Sequence, residues 1–161
     1  MQISTVDEML LDFRLLDVRV NGYSPREISK VFGGDFLEEA LILVLFDAVV
    51  GNNDRKQNMG NLAVLKNSKT GALSFPPLFD FNLAHIESKN FFLHEVAMTL
   101  IEEGLDAKAR VLLAYWEEKL ARMEIAGLDV EGQVRWREAR ACFLENHKEL
   151  ARFLSTGLKI F

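Results

Sequence analysis

The sequence predicts a mostly α-helical domain of the α+β class, a helical bundle with one small β-hairpin. Residues 40–50 are apolar on nearly every face of a helix, which predicts a buried central helix. Apolar residues over 111–120 recur with a period of 3.6, as in an amphipathic helix. Two short apolar runs, 62–65 and 73–75, flank a turn-forming stretch at 67–71 and predict the hairpin.

Size and composition indicate one domain spanning residues 1–161. The chain is 49% hydrophobic, which is enough to form a core at this length. Its formal charge of −5 argues against a nucleic-acid-binding surface, which needs clustered Lys and Arg. The single cysteine, Cys142, excludes an intramolecular disulfide and fits a reducing compartment. No signal peptide or membrane span is evident, so we expect a soluble, cytoplasmic protein.

Capping signals predict the helix boundaries. Ser4 or Thr5 with Glu8 resembles a capping box that opens a helix carrying Met9, Leu10, Phe13 and Leu16. Ser24-Pro25 opens a short helix that stops at Gly33-Gly34, and Asp35 caps the central helix. Further helices are predicted at 91–103, 106–125 and 130–153, with Gly104, Gly127 and Gly157 as stops. Cys142 is expected in the core, and His147, between Asn146 and Lys148, on a polar face.

Two polar loops carry the most definite chemistry. Asp54 lies in the stretch GNNDRKQNMGN at 51–61, directly after the central helix, and Asp80 lies in PLFDFN at 77–82. The predicted hairpin carries these two loops at its open end, so we expect them at the same edge of the fold. One carboxylate to accept a proton, with a second carboxylate and an amide oxygen for Mg²⁺, is what phosphoryl transfer from ATP requires. The plainer alternatives are a polar loop ending a helix and an Asx turn.

The order of these motifs resembles the catalytic half, or C-terminal lobe, of the HipA-like serine/threonine kinases, which have a protein-kinase-like fold. The resemblance covers about residues 35–86. It implies that Asp54 is the catalytic aspartate, that Asp80 binds the metal, and that ATP and Mg²⁺ are the cofactors of a reaction on a protein substrate. The family's association with toxin–antitoxin systems comes only from this resemblance.

Two departures from the family pattern concern the loop after Asp54. The family's histidine is replaced by Lys56, which we interpret as a phosphate contact. The family's asparagine five positions after the catalytic aspartate is replaced by Met59, so the metal and cofactor ligand is either Asn58, which we favour, or Asn61.

The sequence contains no glycine-rich G-x-G-x-x-G loop and no V-A-I-K-like strand, the features with which the N-terminal lobe of a kinase holds ATP. The chain is therefore expected to be a C-lobe without its N-lobe: a fragment, a split subunit completed by another polypeptide, or a degenerate relative. We predict negligible kinase activity for the chain alone.

The alternative function is a non-catalytic helical interaction module or pseudokinase. Expected partners are an N-lobe polypeptide or regulatory protein and a protein substrate, with no membrane and no direct nucleic-acid binding. An apolar face left exposed would favour partner binding or self-association.

Overall fold

The computed structural model describes residues 14–15, 23–32, 36–57, 63–66, 69–74 and 89–156. Within these ranges the helices are α1 (Pro25–Phe32), α2 (Leu37–Val50), α3 (Asp54–Gln57), α4 (Lys89–Glu102), α5 (Asp106–Arg122) and α6 (Val130–Thr156). The strands are β1 (Arg14–Leu15), β2 (Ala63–Lys66) and β3 (Leu73–Ser74).

Helix α2 lies at the centre of the bundle, as its composition predicts. It packs against α1, α4, α5 and α6, and eight of its fourteen residues are buried. A helix with neighbours on most of its sides needs few polar positions, so α2 lacks the distinct apolar and polar faces of a surface helix. The core continues through Leu93 and Leu100 of α4, Leu113 of α5 and Leu150 of α6. The prediction of a buried central helix is confirmed.

Helix α1 begins at the predicted cap. The Ser24 hydroxyl accepts a hydrogen bond from the backbone N–H of Glu27 at 3.1 Å, which satisfies one of the free donors of the first turn. Arg26 then donates from Nε and Nη2 to the carbonyl oxygen of Glu103, at 3.1 and 2.8 Å. This contact joins the start of α1 to the chain just beyond α4.

The described part of the chain is mostly helical, and this corrects the predicted fold class. The sequence predicts that a β-hairpin carries the loop with Asp54. In the structure Asp54, the proposed catalytic base, is instead the first residue of helix α3. The extended segments have two to four residues and form an antiparallel three-stranded sheet of order β1-β2-β3. The pair predicted at 62–65 and 73–75 is therefore part of a larger sheet, and none of its strands bears Asp54. The α+β class with one hairpin carrying the catalytic loop is therefore wrong, while the helical character holds.

The remaining sequence predictions are confirmed at some positions and wrong at others. The three long helices after residue 88 are confirmed, and Gly104 and Gly127 take positive φ angles just beyond α4 and between α5 and α6. Arg14 and Leu15 are paired with β2, so the early helix through Leu16 is wrong at these positions. Cys142 is buried as expected, but His147 is only 2% exposed and does not lie on a polar face. The proposed cap Asp35 lies outside the described residues.

None of the helices in the described ranges has the length and apolar character needed to cross a membrane.

Candidate functional site

A buried carboxylate, Asp47 of α2, organises the loop that leads to Asp54. Its side chain is fully buried and accepts hydrogen bonds from the Tyr23 hydroxyl, from Asn52 Nδ2 at 3.1 Å and from Arg55 Nε at 2.8 Å. Arg55 is 1% exposed, so the two charges form an ion pair away from solvent. The network joins Tyr23, two residues before α1, with the last turn of α2 and the second residue of α3.

Burial sets the protonation of this network. Loss of solvent raises the pKa of the Asp47 carboxyl, while the Arg55 guanidinium and the hydrogen bonds from Tyr23, Arg55 and Asn52 oppose that rise. Burial, followed by the neighbouring Asp47 charge, raises the pKa of the Tyr23 hydroxyl well above its usual value. Tyr23 therefore stays protonated and acts as a donor to Asp47.

The end of α2 is fixed by backbone contacts and by α6. Gly51 follows the last helical residue with φ +73°, a left-handed conformation that glycine adopts without strain, and its N–H donates to the carbonyl of Ala48 at 3.2 Å. The N–H of Asn52 donates to the Asp47 carbonyl at 2.8 Å. From α6, Asn146 Nδ2 donates to the carbonyl oxygen of Val49 at 2.8 Å. The chain thus leaves α2 in one defined direction.

Asp54 and Lys56 are the two sequence-predicted site residues that the structure describes, and both lie on α3. Asp54 is half-buried at the first position of the helix, where a carboxylate is favoured by the helix dipole. Lys56 forms an ion pair with Glu95 of α4, and both side chains are partly exposed. A phosphate contact by Lys56 would have to compete with Glu95.

The remaining predicted ligands, Asn58, its alternative Asn61, and Asp80, lie outside the described residues. The structure therefore does not test whether they approach Asp54. Within the described ranges, no group of three or more His, Cys, Asp or Glu side chains is arranged to hold a metal ion.

Two amide oxygens beside Asp54 are buried without a hydrogen-bond partner among the described residues. They are Oδ1 of Asn52 and Oδ1 of Asn53. A buried acceptor without a partner costs about 1–3 kcal/mol, so such atoms call for a donor or a cation. Amide and carboxylate oxygens are ligands suited to Mg²⁺ or to its bound waters.

Comparison of the chain with protein-family models, with curated proteins and with solved structures gave no match in any of the three. The resemblance to HipA-like kinases accordingly rests on the motif residues alone.

The sequence motifs gave no role to Tyr23, Asn52 and Arg55, whose side chains contact the Asp47 carboxylate. A signal for the network was present, since Asp47 is the single charged residue in the otherwise apolar run 40–50. A charge inside a helix that is buried on all sides needs a partner of opposite charge, and Arg55 supplies it.

Proposed function

We propose that this chain carries the catalytic loop of an ATP- and Mg²⁺-dependent kinase that phosphorylates a protein hydroxyl, with Asp54 as the base. The observation that supports the proposal is the buried Asp47–Arg55 pair next to Asp54. A buried ion pair adds little net stability compared with apolar side chains of similar size. Its presence directly beside a partly exposed aspartate favours a role in positioning the loop.

Asp54 would accept the proton of the acceptor hydroxyl as it attacks the terminal phosphate of ATP. Phosphoryl transfer depends mainly on placement and charge, so a base held on a fixed backbone is worth more than one on a mobile loop. Arg55, Asp47 and Tyr23 act as positioning residues in this scheme, because they contact one another and not the substrate.

Asn58 and Asp80 are proposed as the magnesium ligands, on their sequence positions, with Asn61 as the alternative to Asn58. When bound, Mg²⁺ neutralises the negative charge of the phosphates. Lys56 would leave Glu95 to contact a phosphate.

The lysine and glycine-rich loop that cover ATP in kinases have no counterpart in the sequence. We propose that another polypeptide supplies them, in the cytoplasm, and that a protein substrate or regulatory protein docks on the assembled enzyme.

Isothermal titration calorimetry of Mg²⁺-ATP into the full chain tests the nucleotide site. We expect weak, magnesium-dependent binding that Asp80→Ala weakens at least tenfold. Asp54→Asn should bind as the wild-type chain does, because the base is not a metal ligand. The matched control is Asp106→Asn on α5, whose carboxylate pairs with Arg110 at the surface.

Binding that Asp80→Ala does not change would contradict the metal assignment. Absence of binding by the wild-type chain would contradict the claim that this chain alone forms a nucleotide site. A second assay measures transfer of labelled phosphate to proteins of a cell extract. Transfer that is present for wild type and lost in Asp54→Asn, in a variant that still binds Mg²⁺-ATP, would identify Asp54 as the base and not a metal ligand.

A second candidate is a non-catalytic interaction module, which exposed apolar side chains on α5, α6 and their connection favour. These are Val111, Tyr115, Met123, Ile125, Val130 and Val134. Asp54→Ala separates the two functions, since a module keeps its partner binding in this variant whereas a kinase loses phosphotransfer.

A further inference from the structure

A groove of about 590 Å³ lies between the start of α2 and the start of α5. Leu41 and Leu105, both buried, are among the apolar residues that line it. Each helix contributes one charged residue to the lining, Glu38 from α2 and Lys108 from α5. Since Asp47 is in the last turn of α2, the groove is at the other end of that helix from the candidate site.

An apolar ridge on α5, formed by Val111 and Tyr115, runs along one side of this groove. Val111 lines the groove and is nevertheless 71% exposed, and Tyr115, one turn further along the helix, is 58% exposed. Single exposed apolar side chains are common, whereas a ridge that adjoins an apolar groove makes a continuous patch, and such patches mark interaction sites. The surface thus has a raised apolar element directly beside an apolar depression.

The two charges of the groove are not neutralised by neighbours in the described part of the chain. Glu38 and Lys108 are both exposed and form no ion pair there. Other charged residues on α5 do form such pairs, as Arg110 does with Asp106. One patch of surface therefore carries a ridge and a groove, and a carboxylate and an ammonium group, none of them matched within the chain.

We propose that a second copy of this chain occupies the groove, so that the protein forms a dimer with two-fold symmetry. In such a dimer one surface contacts itself, and it must therefore hold both members of each contact. The α5 ridge of each copy lies in the groove of the other, where Val111 packs against apolar side chains and Lys108 meets Glu38 of the partner subunit. The apolar contact supplies affinity and the charges fix the register.

This interface does not depend on the proposed phosphoryl transfer, because no residue of the candidate site lines the groove. Its composition follows the usual pattern, in which an apolar centre with an aromatic side chain is bordered by charged residues.

Sedimentation velocity of the full chain over a series of concentrations tests the dimer. We expect a reversible monomer–dimer equilibrium with a dissociation constant of about 1–100 μM, as for a small interface. Val111→Gln buries an amide in an apolar contact and should weaken dimerisation about tenfold. The matched control is Val130→Gln, at an 80% exposed valine that begins α6, which should dimerise as the wild type does.

Exchange of the two charges tests the register. Glu38→Lys and Lys108→Glu should each weaken dimerisation about tenfold, because each sets like charges against one another at both symmetry-related contacts. The double variant should restore wild-type dimerisation, since the two charges are then opposite again. Its net charge equals that of the wild type, so the rescue reports the pairing and not the overall charge. Circular dichroism confirms that each variant is folded.

Three results would overturn the proposal. A chain that stays monomeric up to about 100 μM would leave the groove to a partner of another sequence and exclude the second copy. A dimer that Val111→Gln leaves unchanged would lie on a different surface. A dimer weakened by Val111→Gln, but not rescued by the double charge exchange, would contradict the contact between Lys108 and Glu38 of the partner subunit.

Discussion

Nε of Arg55, on the short helix α3, lies 2.8 Å from a carboxylate oxygen of Asp47 in the last turn of α2, and neither side chain is more than 1% exposed. The contact spans eight residues of sequence and encloses the turn at Gly51. It ties the first turn of the proposed catalytic loop to the most buried helix of the fold. The position of Asp54 thus depends on the core.

Asp47→Asn should destabilise the protein by about 3–5 kcal/mol, because it leaves the Arg55 charge buried without its counterion. Urea denaturation followed by circular dichroism measures the loss. Glu131→Gln is the control, since its ion pair with Arg135 lies on exposed helix surface and is worth at most about 1 kcal/mol. A loss below about 1 kcal/mol for Asp47→Asn would show that water or another group replaces the carboxylate.

Asn146→Leu should cost about 1–3 kcal/mol, because the Val49 carbonyl at the end of α2 would lose its side-chain donor while staying buried. Leucine is similar in size, so the loss reports the hydrogen bond more than the packing. Gln133→Leu is the comparison, as the Gln133 amide also donates to a backbone carbonyl, that of Leu128, but on exposed surface. Equal losses for the two variants in urea denaturation would contradict the prediction.

Local signals were sufficient for the helices and not for the contacts between them. The apolar run 40–50, the Ser24 cap and the glycines at 104 and 127 each act over a few residues, and the structure follows them. Tyr23 and Asp47 are 24 positions apart, and Asn146 and Val49 are 97 apart. No local pattern encodes such pairings, because they arise from the packing of whole helices.

At the candidate site, too, the sequence predicted local features better than the contacts made by packing. The motif placed Asp54 directly after the central helix, and in the structure Asp54 begins α3, four positions beyond the end of α2. The sequence assigned that loop to a hairpin, yet an acidic residue at the first position of a helical turn is also a helix-start signal, and this signal prevailed. For His147, polar neighbours in sequence suggested a polar face, whereas helix packing places Asn146 and His147 both inside.

Gly51→Ala should destabilise the protein by about 1–2 kcal/mol, because φ +73° at this position is a left-handed conformation that costs a residue with a Cβ atom. Gly51→Asn is the matched variant, since asparagine tolerates this conformation better, and it should lose less. Urea denaturation ranks the three proteins. Equal losses for alanine and asparagine would show that the space around the side chain, and not the backbone angle, sets the cost.

Acid should destabilise the protein in part through His147. Burial lowers the pKa of its imidazole in the folded state below the value of about 6.5 expected in the unfolded chain. Above about pH 6.5 both states are neutral and the full stability is present. As the pH falls through that value the unfolded chain binds a proton first, so stability is lost until the folded-state pKa is passed.

The difference between wild type and His147→Leu isolates this effect from the carboxylates, including Asp47, whose titration is common to both proteins. Urea denaturation from pH 8 to pH 5 should show wild-type stability falling relative to the variant only below about pH 6.5. His94→Leu, at the half-buried histidine that meets Phe153 edge to face, provides the comparison. Wild-type stability that rises relative to His147→Leu on acidification would mean that His147 is charged in the folded protein, held by Glu117 and the carbonyls of Phe143 and Leu113.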